Sequence, residues 1–228
     1  EPCEGFYIPL AHVDEFGQPR DGQLDLMAVI ERLKPVLADP SVLKIGHNLK
    51  YDAGVLAHYG VEVTPGDDTM LLSYALDGAS HGHGMDELAQ RLLDHDCITY
   101  ESLCGKGAAQ IGFAQVPIDK ATAYAAEDAE VTLRLWQSLR PRLLEDRMVS
   151  VYETLDRPLT ALVTRMERWG IRVDAHRLRQ LSAEFTQRMA GLEDEAYKLA
   201  GRSFNLGSPK QLGEVLFDEL GLDRKSVV

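Results

Sequence analysis

The stretch Val42–Asp52 (VLKIGHNLKYD) decides the fold. Its first part, Val42–Gly46, is a compact apolar run typical of a buried strand. The residues from Leu49 to Tyr59 then predict a helix, with Asn48 just before its start. A buried strand that leads directly into a helix is typical of open α/β sheets, whose active sites lie at the carboxyl ends of the strands. The sequence therefore directs attention to the polar residues at the end of this stretch.

The segments around this stretch alternate at first and then become helical. Gly5–Leu10 (GFYIPL) predicts a strand, and Val61–Val63 indicates another short one. The spacing of apolar residues predicts helices over Leu24–Ala38, Asp68–Leu76, Met85–Leu93, Pro117–Leu139, Val151–Trp169, Asp174–Gly201 and from Ser208 onward. This order predicts an α/β domain over residues 1–141 and a separately packed helical segment over residues 150–228.

Charge divides the chain in the same region. The 228 residues carry a net charge of −12, all of it within residues 1–150, which hold 24 acidic and 12 basic residues. Such a chain is unlike a duplex DNA binder, because the affinity of those proteins comes mostly from neutralising phosphates. It remains compatible with nucleic acid if bound metal ions supply the positive charge.

Several classes of protein are disfavoured by what the sequence lacks. There is no apolar run of about 18 residues, so a membrane span is not expected. The acidic start of the chain is unlike a signal peptide. The three cysteines, Cys3, Cys97 and Cys104, predict reduced thiols in a cytoplasmic protein, and His95-x-Cys97 without a second ligand pair argues against zinc.

The first candidate site is Asn48-Leu-Lys-Tyr-Asp52, which follows the predicted strand. Asp52 would lie in the first turn of a helix, at a sheet edge where ligands bind. Taken alone, this motif also has a purely structural interpretation. Asparagine is a good helix N-cap, and an aspartate in the first turn interacts favourably with the helix dipole.

The second candidate site is Tyr124-Ala-Ala-Glu-Asp128. On a helix, Tyr124 and Asp128 lie on one face, and Val131 and Leu135 continue that face as apolar residues. A carboxylate on a mostly apolar face is costly unless it is paired or binds a metal. The alternatives are a surface aspartate or one bonded to a core tyrosine, and Glu127 is expected to be solvated.

Together the two patterns resemble the second and third motifs of the DEDDy 3′–5′ exonucleases, which have an RNase H-like fold. The resemblance implies that Asp52 and Asp128 are metal ligands and catalytic residues for Mg²⁺ or Mn²⁺, and that Tyr124 orients the attacking water. Two such ions, about 4 Å apart, stabilise the attacking and leaving oxygens of a phosphodiester. It also implies substrate contacts from Asn48, Tyr51 and Tyr100.

Longer matches extend the resemblance to the family A DNA polymerases. Glu167–Asp174 (ERWGIRVD) resembles the entry to their polymerase domain, and Phe204–Leu212 (FNLGSPKQL) resembles the base of their thumb. The implied partners are a single-stranded 3′ end at the exonuclease site and duplex primer-template DNA near the thumb. dNTPs would bind only a full-length protein, and a monomer is expected.

The sequence departs from the family pattern in two places, and the first affects the expected activity. The Asp-x-Glu of the first motif would precede the strand matched by Phe6–Leu10, and is expected upstream of residue 1; the chain by itself is therefore expected to be a poor or inactive exonuclease. The second departure is Asp223–Val228, which no longer resembles the family.

Two other functions are alternatives to a proofreading exonuclease. One is a ribonuclease similar to RNase D, against which Phe204–Leu212 argues. The other is a metal-free DNA-binding or structural module.

Overall fold

The computed structural model describes residues 4–223, and the chain divides into two compact units, Glu1–Gly170 and Ile171–Val228. Cys3 and most of Asp223–Val228 lie outside the described residues. The first unit contains α1 (Leu26–Ala38), β1 (Lys44–Gly46), α2 (Leu49–Ala57), β2 (Gly66–Asp68), α3 (Thr69–Asp77), α4 (Met85–Leu93), α5 (Tyr100–Cys104), α6 (Ile118–Glu145), α7 (Val149–Val151) and α8 (Arg157–Trp169). A π-helical turn, Tyr152–Asp156, joins the last two helices.

The sheet of the described residues is short and parallel. β1 pairs with β2 in the register Lys44 opposite Gly66 and Gly46 opposite Asp68. Parallel strands require a crossover connection, and α2 lies within it. Both strands therefore end at the same edge, so the residues after Gly46 and those after Asp68 are neighbours.

Two of the strand predictions are wrong. Residues 61–63 are not a strand, and the second strand begins later, at Gly66. Residues 5–10 are not a strand either. Gly5 instead lies directly against α6, where a Cβ on Gly5 would come within 2.8 Å of the Ala126 carbonyl oxygen. This close approach requires glycine, and it places the segment on the helix.

The core of the first unit is built on one face of α6. Val131, Leu135, Leu139 and Leu143 recur every four residues and are fully buried. They pack with residues of α3, α4 and the π turn, namely Leu72, Ala75, Leu88, Ala89 and Tyr152. The i, i+4 spacing visible in the sequence thus becomes the apolar stripe that holds the helices together.

Leu135→Ala should lower the free energy of unfolding by about 2–5 kcal/mol, because it removes buried methyl groups and leaves a cavity. Leu144→Ala, on the exposed side of the same helix, is the matched control, since Leu144 is 76% exposed. Urea unfolding followed by tryptophan fluorescence measures both variants. Equal effects of the two substitutions would contradict this account of the core.

The sequence predicted that a helical segment packs separately from residue 150 onward. This starting point is wrong, because the second unit begins at Ile171. Residues 149–170 belong to the first unit. Tyr152 is fully buried in its core. The Arg157 guanidinium lies 3.1 Å from Oδ1 of Asp67, a residue of β2. The buried Asp67 carboxylate is paired with Arg157, and residues 149–170 pack with the first unit. The change in net charge near residue 150 therefore does not mark the boundary between the units.

Asp67 is the centre of a polar network. It accepts hydrogen bonds from Trp136 Nε1 at 2.8 Å and from the Tyr152 hydroxyl at 3.2 Å. Arg140 Nε lies 3.5 Å from its carboxylate. Glu153 lies 2.7 Å from both Arg140 and Arg157 and partly balances their charge. These contacts tie β2 to α6 and to α8.

The second unit is helical, as predicted. It contains α9 (Ala175–Ala200), α10 (Pro209–Gly213) and the π-helical turn Glu214–Glu219. The side chains of Asp174 and Ser208 cap the two helices, by accepting from Arg177 N and Gln211 N. Phe204 is buried beside the Tyr197 ring. Among the described residues, none of the helices is long and apolar enough to cross a membrane.

Candidate active site

The turn after β1 is held by a carboxylate from the neighbouring strand. Asn48 adopts a left-handed conformation, with φ of 57°, and its side chain makes no capping hydrogen bond. Instead, Asp68 accepts from Asn48 N and Leu49 N, each at 2.9 Å. The same carboxylate caps α3 by accepting from Met70 N at 2.9 Å. The interpretation of Asn48 as a side-chain cap is therefore wrong, and asparagine suits the position because it tolerates the left-handed region.

Asp52 lies in the first turn of α2, as the sequence predicted. Its side chain reaches the surface, yet the surrounding protein raises the pKa of its carboxyl group by desolvation. The negative charge of Asp68 raises this pKa further, and a hydrogen bond with its own backbone amide opposes the shift. Asp52 is thus a carboxylate whose charge the protein leaves poorly compensated.

Asp128 and Tyr124 form a pair on α6. Burial raises the pKa of Asp128 to about 6, while its hydrogen bond with the Tyr124 hydroxyl lowers it and the charges of Glu127 and Asp86 raise it. Burial and the Asp128 charge raise the pKa of Tyr124 to about 12. Oδ1 of Asp128 is buried without a hydrogen-bond partner among the described residues. The alternative of an ordinary surface aspartate is therefore wrong.

An aromatic row, defined here as Tyr100, Phe113 and Tyr124, leads from the surface to the Tyr124–Asp128 motif. The rings of Tyr100 and Phe113 are stacked with centroids 6.3 Å apart, and Phe113 lies 5.8 Å from Tyr124. The pKa of Tyr100 is raised, first by a hydrogen bond with the Cys104 thiol and to a lesser degree by the proximity of Tyr51. Tyr51 and Tyr100 are 70% and 42% exposed, so their rings are available to a ligand.

The structure places the predicted residues on elements that meet. Asp52 follows β1, and β1 contacts α6, which carries Tyr124 and Asp128. That Asp52 and Asp128 share one metal centre stays a prediction. Sequence reasoning missed Asp68, whose position before a helical run was a usable capping signal. It also missed Phe113 and Asp86, because their proximity to the motifs depends on tertiary packing.

Glu127 is not the solvated residue that the sequence predicted. Its side chain is only 18% exposed, and its Oε1 lies 3.0 Å from His95 Nε2. Its Oε2 accepts from Ile98 N at 2.7 Å. A loop that approaches α6 from the far end of α4 therefore uses this carboxylate as its anchor.

The donor set at Asp52 and Asp128 fits a divalent cation. Carboxylate oxygens are the ligands that hard cations such as Mg²⁺ prefer. Oδ1 of Asp128, which has no hydrogen-bond partner among residues 4–223, is a buried anionic oxygen of the kind that a bound cation would satisfy. A cation near these residues would also stabilise the ionised form of both carboxyl groups, and so lower the pKa values that burial raises.

Comparison with known proteins defines the class. Residues 7–144 match the family described as 3′–5′ exonuclease, and residues 175–227 match DNA polymerase family A. The chain therefore belongs to the 3′–5′ exonuclease family and continues into a family A DNA polymerase segment. Divalent metal use is general in this exonuclease family.

The individual relatives are DNA polymerases. DNA polymerase I of Rhizobium leguminosarum is 50% identical over 221 residues, which are 95% of this chain. DNA polymerase I of Pseudomonas aeruginosa is 47% identical over 223 residues, 96% of the chain. The chain spans 22% and 24% of the length of these two proteins.

Solved structures agree with the sequence relatives. The POL domain of Pol1 from M. smegmatis, in complex with DNA primer-template and dNTP, matches with a TM-score of 0.68 and 28% identity, over 88% of this chain and 32% of that one. Brucella melitensis NrnC bound to pGG matches with a TM-score of 0.51 and 25% identity, over 70% of this chain and 74% of that one. The predicted RNase H-like α/β fold, followed by a helical segment, is confirmed.

Asp128→Asn should stabilise the protein at neutral pH in the presence of EDTA. The pKa of Asp128 is raised from 3.8 to about 6, so between these values the folded chain holds a proton that the unfolded chain lacks. The free energy of unfolding therefore falls as the pH rises through this window. Asparagine removes the effect, and with allowance for partial exposure the gain is about 1–2 kcal/mol at about pH 7 and near zero at about pH 4.

Urea unfolding at both pH values measures this difference. Asp119→Asn is the control, because Asp119 is an exposed acid in the first turn of the same helix. It should give no gain at either pH, since it lies where the helix dipole favours a negative charge. A gain for Asp128→Asn of equal size at both pH values would contradict the role of its ionisation.

Proposed function

We propose that this chain is the proofreading part of a family A DNA polymerase, and that its site hydrolyses the terminal phosphodiester at a DNA 3′ end. The observation that carries the proposal is the Tyr124–Asp128 pair, in which one buried carboxylate oxygen has no hydrogen-bond partner within residues 4–223. The match of residues 175–227 to DNA polymerase family A supports DNA rather than RNA as the substrate.

Each residue has a role that its surroundings support. Asp52 and Asp128 would hold Mg²⁺ or Mn²⁺; when bound, such ions stabilise the charge on the attacking and leaving oxygens. The Tyr124 hydroxyl, with its pKa raised to about 12, stays protonated at neutral pH and can hold an attacking water by hydrogen bonding. Asn48 lies at the entrance of α2, within reach of a bound nucleotide in this proposal.

The exposed aromatic rings indicate a single-stranded ligand. Tyr51 and Tyr100 present faces on which terminal bases can stack, and stacking contributes about 1–3 kcal/mol per base. Such contacts tolerate any base, as removal of a mismatched nucleotide requires. Two relatives bind related ligands: the M. smegmatis structure contains primer-template DNA and dNTP, and the Brucella NrnC structure contains pGG.

The remaining parts of the proposal concern the longer protein. We propose that duplex primer-template DNA contacts the helical unit, that dNTPs bind only the polymerase part of a full-length protein, and that the protein is a cytoplasmic monomer. A four-carboxylate site also needs the Asp-x-Glu pair of the first motif. The 228-residue chain by itself is accordingly expected to release nucleotides poorly, because two carboxylates bind Mg²⁺ weakly.

The test is release of mononucleotides from 3′-labelled oligonucleotides by two proteins, this chain and a form extended with a strand that carries Asp-x-Glu. The extended form should degrade single-stranded DNA in Mg²⁺ and not in EDTA. Preference for RNA would favour the RNase D-like alternative, and metal-independent DNA binding without hydrolysis would favour a structural module. Rapid Mg²⁺-dependent release by the unextended chain would show that another carboxylate completes the site.

A further inference from the structure

A second cluster of metal-ligating side chains lies beside the candidate active site. His95 and Cys97 come from the loop after α4, and Glu127 comes from α6. One ligand atom from each residue lies within 4.8 Å of the other two. Only His95 and Cys97 are close together in the sequence, and the third member, Glu127, is distant in the chain.

The three ligand types select the kind of ion. An imidazole nitrogen, a thiolate sulfur and a carboxylate oxygen together suit Zn²⁺ and similar ions, whereas Mg²⁺ takes oxygen ligands. Ligands at about 2.0–2.3 Å from a tetrahedral ion lie about 3.5 Å apart. His95 Nε2 and Glu127 Oε1 are 3.0 Å apart, so those two need almost no movement.

The surroundings hold these side chains and leave them accessible. Ile98 N donates to Oε2 of Glu127, and this bond leaves Oε1 directed at His95. The side chains of His95 and Glu127 are 32% and 18% exposed, and Cys97 is half-buried. An ion can therefore enter from solvent, and with three protein ligands its fourth position would be open.

We propose that His95, Cys97 and Glu127 bind a borderline-soft divalent cation such as Zn²⁺, in addition to the oxygen-only pair of Asp52 and Asp128. Binding converts the Cys97 thiol to a thiolate and releases its proton to the buffer. The thiolate and the Glu127 carboxylate together neutralise the charge of the ion. Because Glu127 precedes Asp128 in α6, an ion here fixes the helical turn that carries the candidate active site.

The test is a titration of the full chain with Co²⁺, which reports a thiolate ligand through a near-ultraviolet charge-transfer band. Cys3, which lies outside the described residues, is replaced by Ser in every sample. We expect one band that saturates with a single equivalent of Co²⁺ and disappears when Zn²⁺ is added. Cys97→Ser should abolish it, and Cys104→Ser, at the other described cysteine, should retain it.

Two further variants separate this site from the candidate active site. Glu127→Gln should weaken Co²⁺ binding at least about tenfold, since loss of even a supporting partner of a ligand costs 10–100-fold in affinity. Asp52→Asn should leave the band and the affinity unchanged, and this outcome does not depend on any nuclease activity. Circular dichroism verifies that each variant is folded. Absence of the band from the parent chain, or its persistence in folded Cys97→Ser, would overturn the proposal.

Discussion

Asp128→Ala should reduce Mg²⁺-dependent release of 3′-terminal nucleotides by at least about 100-fold in the form extended with an Asp-x-Glu strand. Loss of a residue that merely supports a metal ligand already costs 10–100-fold, and loss of the ligand itself should cost no less. The substitution deletes the buried Oδ1, for which the described part of the chain offers no hydrogen-bond partner. It also removes the carboxylate whose negative charge raises the pKa of the Tyr124 hydroxyl.

The measurement is the initial rate on a 3′-labelled single strand, across a range of Mg²⁺ concentrations. Asp119→Ala, at an exposed acid on the same helix, should keep the parent rate. The Asp128 variant should unfold at the same or higher urea concentration than its parent, since burial of the ionised group is unfavourable. If the variant keeps most of its activity, Asp128 does not hold the metal.

Asp67→Ala should lower the free energy of unfolding by about 3–5 kcal/mol, as expected when one member of a buried ion pair is removed. The carboxylate is 1% exposed and has Arg140 and Arg157 as cationic partners. Its loss also leaves Trp136 Nε1 without its acceptor at 2.8 Å. The buried Tyr152 hydroxyl loses an acceptor as well.

Glu153→Ala provides the matched comparison. Glu153 contacts the same two arginines at 2.7 Å but is 30% exposed, so its removal should cost about 1 kcal/mol or less. Urea unfolding followed by tryptophan fluorescence measures both variants, and Trp136, which donates a hydrogen bond to Asp67, reports on this network. Equal losses for the two substitutions would show that the arginines, rather than the buried acceptor, dominate the network.

Local spacing accounts for what could be predicted. The helix Met85–Leu93 has the predicted bounds, and the Tyr124–Asp128 pair follows from the four-residue period of a single helix. The cap at Asp174 is likewise a local signal, since the acceptor and Arg177 N are three residues apart. In each case the information lies within one or two helical turns.

The errors came from contacts between distant residues. Gly5–Leu10 has a strand composition, but its packing is decided by Ala126, far away in the chain. The boundary between the units was expected near residue 150 but lies at residue 170, because Arg157 forms an ion pair with Asp67 of the first unit. Glu127 was expected to be solvated, but in the folded chain its carboxylate contacts His95. Composition and periodicity contain no information about which residues meet in this way.

The Asp68 carboxylate has a mechanical consequence for the candidate active site. It receives the amides of Asn48 and Leu49 and also that of Met70, so α2 and α3 both start from one side chain. The amino-terminal ends of the two helices are therefore coupled through the Asp68 side chain, and a shift of one end disturbs the hydrogen bonds that hold the other. Displacement of α3 at this end would be transmitted to Asp52, one turn into α2, without substitution of any residue of the candidate active site.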